Sequence, residues 1–237
     1  MRIYLSDQSY KFKQHLDFLK DKKIMDYDKS RLTEKITTID IKTNKNFDQL
    51  NLGFLFDYKI FPDNIMTFKN QWLDENRKMK IGDTIAQQVW FPPFKIFSQK
   101  IIFGVRINEI IDQTDKKGFS YETLEGHVEK GISTFTVERL DNKIVFKVQT
   151  YSTLGNILTK LAGPFFAVPY QTFCTKTALK NVKRQLEVQW NWRLKKKADR
   201  ITAPTKNWRF SAPQTHLWLI KQWHSASTFV VKIANFL

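Results

Sequence analysis

Cysteine is almost missing from this sequence: Cys174 stands alone. No disulfide can form within the chain, so secretion as a disulfide-held scaffold gains no support. Long apolar runs are missing too. The opening residues MRIYLSDQSYKFKQ hold no signal-peptide core. The most apolar later run, 161–170, is too short to span a bilayer and carries Pro164 and Pro169. The cytoplasm is the expected compartment. Motif chemistry is absent as well: there is no P-loop, no dinucleotide-binding glycine fingerprint and no G-x-S-x-G elbow. His15, His127, His216 and His224 lack metal-ligand spacing, so no metal and no cofactor are expected. A cysteine nucleophile is conceivable, but Cys174 falls in an apolar helical pattern and is assigned to the core.

What is present is enough apolar material for a real interior. Hydrophobic residues make up 42% and aromatics 14% of 237 residues, mostly Phe, which argues against global disorder. A chain of this length suits one large domain, with or without appendages. The formal net charge is +16. It is unevenly spread: residues 1–53 carry a net +3, 54–186 a net +6 and 187–237 a net +7. Charge of this kind speaks to partners, nucleic acid or an anionic surface, and a solvated basic surface is the bland alternative.

Three segments follow from the patterning. In 1–53, Ser6 or Asp7 is a candidate cap for a helix to about Lys22, with Phe12, Leu16 and Leu19 on one face. The stretch Ile36 to Ile41 has the β-branched content of a short strand. This segment is expected to be an N-terminal helical extension. In 54–186, Asp63 as N-cap predicts a helix over 64–76 that buries Ile65, Phe68 and Trp72. Gly82-Asp83 then turns the chain into strands near 84–91, 100–111, 118–124, 132–140 and 144–151, the last two joined by a tight turn at Asp141. Adjacent strands with short turns predict an antiparallel sheet. An apolar stripe at Leu154, Ile157, Leu158 and Leu161, stopped by Gly163-Pro164, predicts a helix. A second helix starts at Pro169, with Leu179, Val182 and Leu186 inward and Lys176, Lys180, Lys183 and Arg184 outward. The fold class is therefore α+β, a curved antiparallel sheet wrapped against a long C-terminal helix. The last segment, 187–237, is basic, contains five of the seven Trp residues and shows no clear period. It reads as a docked tail, an unstructured extension or an out-of-frame translation. Its interleaved aromatic and basic residues also allow single-stranded nucleic-acid binding.

Residues 117–139, KGFSYETLEGHVEKGISTFTVER, carry a more specific signal. Gly118, Phe119, Tyr121, Thr123, Leu124, Gly126, His127, Gly131, Phe135 and Val137 match a G-F-x-Y-x-T-L-x-G-H segment with a following Gly and an F-x-V strand. Trp72, Gly82-Asp83-Thr84, Ser152, Leu161-Ala162-Gly163-Pro164 and Gln171 support the match. The segment 54–186 thus resembles uncharacterised protein family 0548, the domain of unknown function numbered nineteen-ninety. Ile132-Ser133 departs from an acidic pair common in that family, so no acidic role is carried over there. The resemblance implies a fold similar to the birch-pollen-allergen and START-like helix-grip proteins, which hold small apolar molecules between sheet and helix.

The leading hypothesis is accordingly a binding module for a small apolar ligand, with Tyr121, Thr123, His127 and Phe135 as candidate contacts. Tyr121 and Thr123, two apart, share a sheet face. The runner-up is an enzyme on the same scaffold with His127 as acid or base and Tyr121 as an orienting hydroxyl. Against it stands a structural His that ties a turn, since no carboxylate or nucleophile is placed beside it. The third hypothesis is nucleic-acid or anionic-surface binding through the basic tail.

Overall fold

The computed structural model describes residues 2–43, 45–91, 99–141, 143–154 and 167–198, the last stretch by backbone alone at 167–171 and 188–198. The chain divides into two compact units, Met1–Lys195 and Lys196–Leu237, and the fold that follows is that of the first. Its strands are β1 (Arg2–Tyr4), β2 (Thr33–Ile41), β3 (Met66–Asn70), β4 (Thr84–Phe91), β5 (Gln99–Asp112), β6 (Lys116–Thr123), β7 (Glu129–Leu140) and β8 (Lys143–Leu154). Its helices are α1 (Phe12–Lys20), α2 (Gly53–Phe56), α3 (Gln71–Asp74) and α4 (Ala167–Ala198). The strands form one curved antiparallel sheet in the order β2-β8-β7-β6-β5-β4-β3. β1 pairs with β5 at Lys100–Ile102, on the stretch of β5 that β6 does not reach.

The β7–β8 hairpin forms as the alternation predicts. Asp141 turns it at φ 48°, in the left-handed region that Asp tolerates better than most residues. The β5–β6 pairing slips by one residue between Ile107 and Glu109. That bulge has a sequence reason. Ile107 and Ile110 are three apart and would face opposite sides of a regular strand. The extra residue brings Ile110 opposite Phe119, and so onto the face that Ile107 shares with Tyr121.

Two apolar layers enclose the sheet at its β4–β5 side. On one face, Phe12, Leu16 and Leu19 of α1 pack on Ala86 and Leu124. Contact is close enough that a Cβ on Gly104 would meet the Leu19 and Leu124 methyls at 3.0 Å. Arg106 fixes the end of α1 by donating from Nη2 to the Lys20 carbonyl at 2.7 Å, a cation on the negative end of the helix. The other face, the inner one, carries the main core, which continues through Leu55, Tyr58 and Phe61 to Ala178, Leu179, Val182 and Leu186 of α4. The inward residues expected of α4 are thus buried, Pro169 lies in its first turn, and Cys174 is half-buried against the core.

Several expectations differ from what forms. The helix over 64–76 does not exist: 66–70 is strand β3, paired with β4, and only the four residues of α3 are helical, capped by Asn70 rather than Asp63. Ile65 and Trp72 are buried as expected, but by a strand and a single turn. Edge pairing with β4 outweighs local helix spacing here. The first segment supplies more than a helix. Its β2 is longer than the strand expected at 36–41 and pairs with β8 along nine residues, and Ile41, Phe47, Leu50 and Leu52 join the main core. Neither Ser6 nor Asp7 caps the helix: Asp7 accepts from the Ser9 amide at 2.9 Å in a local turn, Gln8 precedes a 3-10 turn at Ser9–Lys11, Lys11 precedes α1, and α1 ends at Lys20. Leu154 closes β8; the rest of the stripe to Leu161, Gly163-Pro164 and the aromatic tail lie outside the described residues.

Candidate functional site

Cross-strand register sorts the inner face into rows, because residues directly opposite in a sheet share a side. One row runs Ile39, Phe146, Val137. The next runs Thr37, Val148, Phe135, Phe119. Below it come Lys35, Thr150, Ser133, Tyr121, and then Thr33, Ser152 and Gly131. Thr123 lies across from Gly131, its hydroxyl accepting from the Gly131 amide at 3.1 Å. The upper rows are large and apolar. The lower rows are small and polar, and Lys35, Thr150, Ser133 and Ser152 are only half-buried although β7 and β8 are central strands.

Tyr58 sits where the two regions meet. It is fully buried at φ 65°, the left-handed residue that closes α2, with its amide donating to the Leu55 carbonyl at 3.1 Å and the Lys59 amide to the Phe54 carbonyl at 2.8 Å. Its ring meets Phe61, Phe68, Phe119 and Tyr121 at centroid distances of 5.1–6.2 Å. Gln87 donates from Nε2 to the Tyr58 hydroxyl at 2.5 Å, and the Tyr58 and Tyr121 rings meet edge to face at 6.2 Å. Tyr121 is the cross-strand partner of Ser133, whose hydroxyl lies 3.4 Å from that of Thr150, a weak contact. A row of polar residues, Tyr121, Ser133, Thr150 and Lys35, thus crosses the sheet on this face, and Lys35 donates to the Thr172 hydroxyl of α4 at 2.9 Å. Burial pushes the Tyr121 phenol up to about 12, so it stays a neutral donor and acceptor at physiological pH.

The segment carrying Tyr58 is held against α4. Asn181 donates to the Ile60 carbonyl at 3.1 Å and Gln185 to the Lys59 carbonyl at 2.9 Å. On the far side of the helix Lys183 reaches the Asp40 carbonyl at 3.0 Å. Every fully buried residue described in α4 lies between Ala178 and Leu186; residues 172–177 have none. The Lys35–Thr172 bond sets that first part of the helix beside the polar rows.

Of the four residues singled out from the sequence, Tyr121 and Phe135 are brought together, with ring centroids 5.4 Å apart. Phe135 also stacks on Phe119 at 5.5 Å. Thr123 is occupied in bridging β6 to Gly131. His127 is set apart from them in the β6–β7 turn. Its ring lies 4.2 Å from that of Phe103, and its Nδ1 lies 2.8 Å from the Glu129 carbonyl oxygen and 3.0 Å from the Glu129 amide nitrogen. Burial pushes its pKa down to about 3, so the imidazole is neutral at physiological pH. Gly126 enters this turn at φ 86°. The geometry is that of a turn lock. The motif glycines serve close approach: a Cβ on Gly118 would lie 2.0 Å from the Phe135 carbonyl oxygen, and one on Gly131 1.9 Å from that of Tyr151.

Tyr58, Gln87, Ser133, Thr150 and Lys35 were not found by sequence reasoning. A signal for two of them exists: residues equidistant from the Asp141 turn pair with each other, which places Ser133 opposite Thr150.

Fold and inner face together define an α+β protein built on one broad antiparallel sheet, with a polar strip set into an aromatic surface. A family model described as "Domain of unknown function (DUF1990)" matches residues 45–181, more than half of the chain, and the protein belongs to that family. Comparison with curated proteins gave no match. A crystal structure of a hypothetical protein from Helicobacter pylori is 12% identical, with a TM-score of 0.38 over 68% of this chain and 87% of that one. Among the described residues, no helix is long and apolar enough to cross a membrane.

Proposed function

We propose that the protein binds a small, largely apolar ligand between the inner face of the sheet and the first part of α4, in the manner of helix-grip, START-like proteins. One observation carries this. The inner face is packed solid by Phe119, Phe135, Phe146 and Val148, then gives way on the same central strands to half-buried Ser133, Thr150 and Ser152. Lys35, in the row of Ser133 and Thr150, donates to Thr172 of α4, which sets the first part of the helix beside these groups. Tyr121 and Phe135 supply an apolar wall, and the Tyr121, Ser133 and Thr150 hydroxyls orient a polar head, the usual division of labour in a ligand site. An acid–base role for His127 draws less support, because burial that pushes its pKa down to about 3 leaves no imidazolium to act as acid near pH 7 and makes the neutral ring a weak base.

Native mass spectrometry of the full chain, followed by titration with 1-anilinonaphthalene-8-sulfonate, tests the proposal. The expected result is a co-purified mass or saturable one-to-one dye binding, weakened at least tenfold by Ser133→Trp with little change in melting temperature. A clean apo mass with no saturable dye binding would overturn it.

A further inference from the structure

The outward face of α4 points to a second partner. With 3.6 residues per turn, Phe173, Lys176, Lys180 and Arg184 fall within one narrow stripe, opposite the buried Ala178, Leu179, Val182 and Leu186. All four stripe residues are exposed, Phe173 to 40%. Lys183 flanks the stripe. Between 172 and 187 the only acidic residue is Glu187, and it is held by Lys183 at 3.6 Å and by the Lys42 amide at 3.0 Å. On the segments that flank the helix, Asp40 is paired with Lys143 at 3.4 Å and Asp57 with Lys59 at 2.9 Å. Lys176, Lys180 and Arg184 have no ion-pair partner among the described residues. The stripe is therefore a ridge of uncompensated positive charge, with cations repeating about every 6 Å and an aromatic ring at one end.

We infer that this ridge binds single-stranded nucleic acid, with Lys176, Lys180 and Arg184 on successive phosphates and Phe173 stacked on a base. Charge complementarity selects a polyanion, and the exposed ring selects unpaired bases over a duplex. A membrane fits less well. A helix that lies on lipid inserts its apolar face, and the apolar face of α4 is already buried in the core of this protein.

The test is fluorescence anisotropy of a labelled oligothymidylate against the full chain, with three variants. Three phosphate contacts on a single strand predict a slope of about −2 in log K against log salt, roughly a twentyfold loss between about 50 and 200 mM. Lys176→Glu, Lys180→Glu and Arg184→Glu combined should weaken binding at least about thirtyfold. The same change in net charge at Lys13, Lys78 and Lys80, exposed on other elements, should weaken it only a few-fold. Phe173→Ala should cost about tenfold and narrow the preference for single over double strands. Absence of binding, equal losses in the two triple variants, or an unaltered affinity in the α4 variant would overturn the inference. So would binding to vesicles of anionic phospholipid that survives when oligonucleotide binding does not.

Discussion

On the inner face of the sheet, the rows through Phe119 and Val137 and the rows through Ser133 and Gly131 belong to the same strands, yet they are made of opposite kinds of residue. The upper rows hold aromatic and branched side chains packed against Tyr58, Phe61 and α4. The lower rows hold hydroxyls, a glycine and one lysine, half-buried beside the part of α4 that buries nothing completely. β-structure alone requires neither composition. The contrast shows where this sheet invests in stability and where it keeps chemistry accessible, and each half can be challenged separately.

The largest effect is expected in the packed half. Phe135→Ala removes a ring that touches Phe61, Phe119 and Tyr121. It should cost about 3–5 kcal/mol in urea unfolding. A loss under about 1 kcal/mol would mean that the aromatic cluster is not a close-packed core.

Acid should bring out the next effect, at the turn beside the polar half. His127 titrates near 6.5 when unfolded but is pushed down to about 3 when folded. Between those values the unfolded chain binds more protons, so stability present above pH 6.5 is lost as the pH falls toward 3. At about 1.4 kcal/mol per pKa unit the full effect is of order several kcal/mol. His15, also lowered by burial, acts in the same direction. His127→Asn keeps a side chain able to donate to or accept from the Glu129 backbone and loses the titration. Its stability should match the wild type near pH 7 and fall less steeply in acid. Parallel profiles would remove His127 from the account.

Gly118→Ala should follow, because its Cβ has no room beside the Phe135 carbonyl and β6 must move away from β7. Overpacking of this kind costs about 1–3 kcal/mol. The smallest expected effect is in the polar half. Ser133→Ala and Thr150→Val should each shift stability by under about 0.5–1 kcal/mol, since their mutual contact is long and both are partly solvated. A cost above 2 kcal/mol for either would make the polar strip a structural network and weaken its claim as a binding surface.

Much of this architecture was legible from local pattern. The β7–β8 hairpin follows from alternation and a turn at Asp141, and α1 and α4 follow from apolar residues recurring every three to four positions. Tyr121 and Phe135 were singled out through the motif at 117–139, and strand alternation showed only which neighbours share their side of the sheet. The 64–76 stretch was not, because Ile65, Phe68 and Trp72 fit either a helix face or a strand leading into a single turn. Only the presence of β4 beside it decides. Tyr58 ends α2 in a left-handed Schellman turn, its amide donating to the Leu55 carbonyl at 3.1 Å and the Lys59 amide to that of Phe54 at 2.8 Å; a Tyr where such turns usually have Gly hides it, and its ring partners come from β3, β6 and the loop to Phe61. Lys35 needed the pairing of β2 with β8, the longest-range contact in the sheet, before it could be put in a row with Thr150.

That pairing also governs the order in which the protein is made. Ile41 meets Ile144 and Thr33 meets Ser152, 103 and 119 positions further along. At about 5–20 residues per second, a ribosome needs on the order of 5–20 s to deliver β8 after β2 has emerged. Through that interval the nascent chain carries a nine-residue β-forming segment with no neighbour. Glu34, Lys35 and Asp40 within it are the kind of charges that discourage pairing with the wrong strand. Among the described residues β2 is an edge strand of the finished sheet as well, with Glu34 and Asp40 exposed on it, so the same charges stand on β2 both before and after its partner arrives.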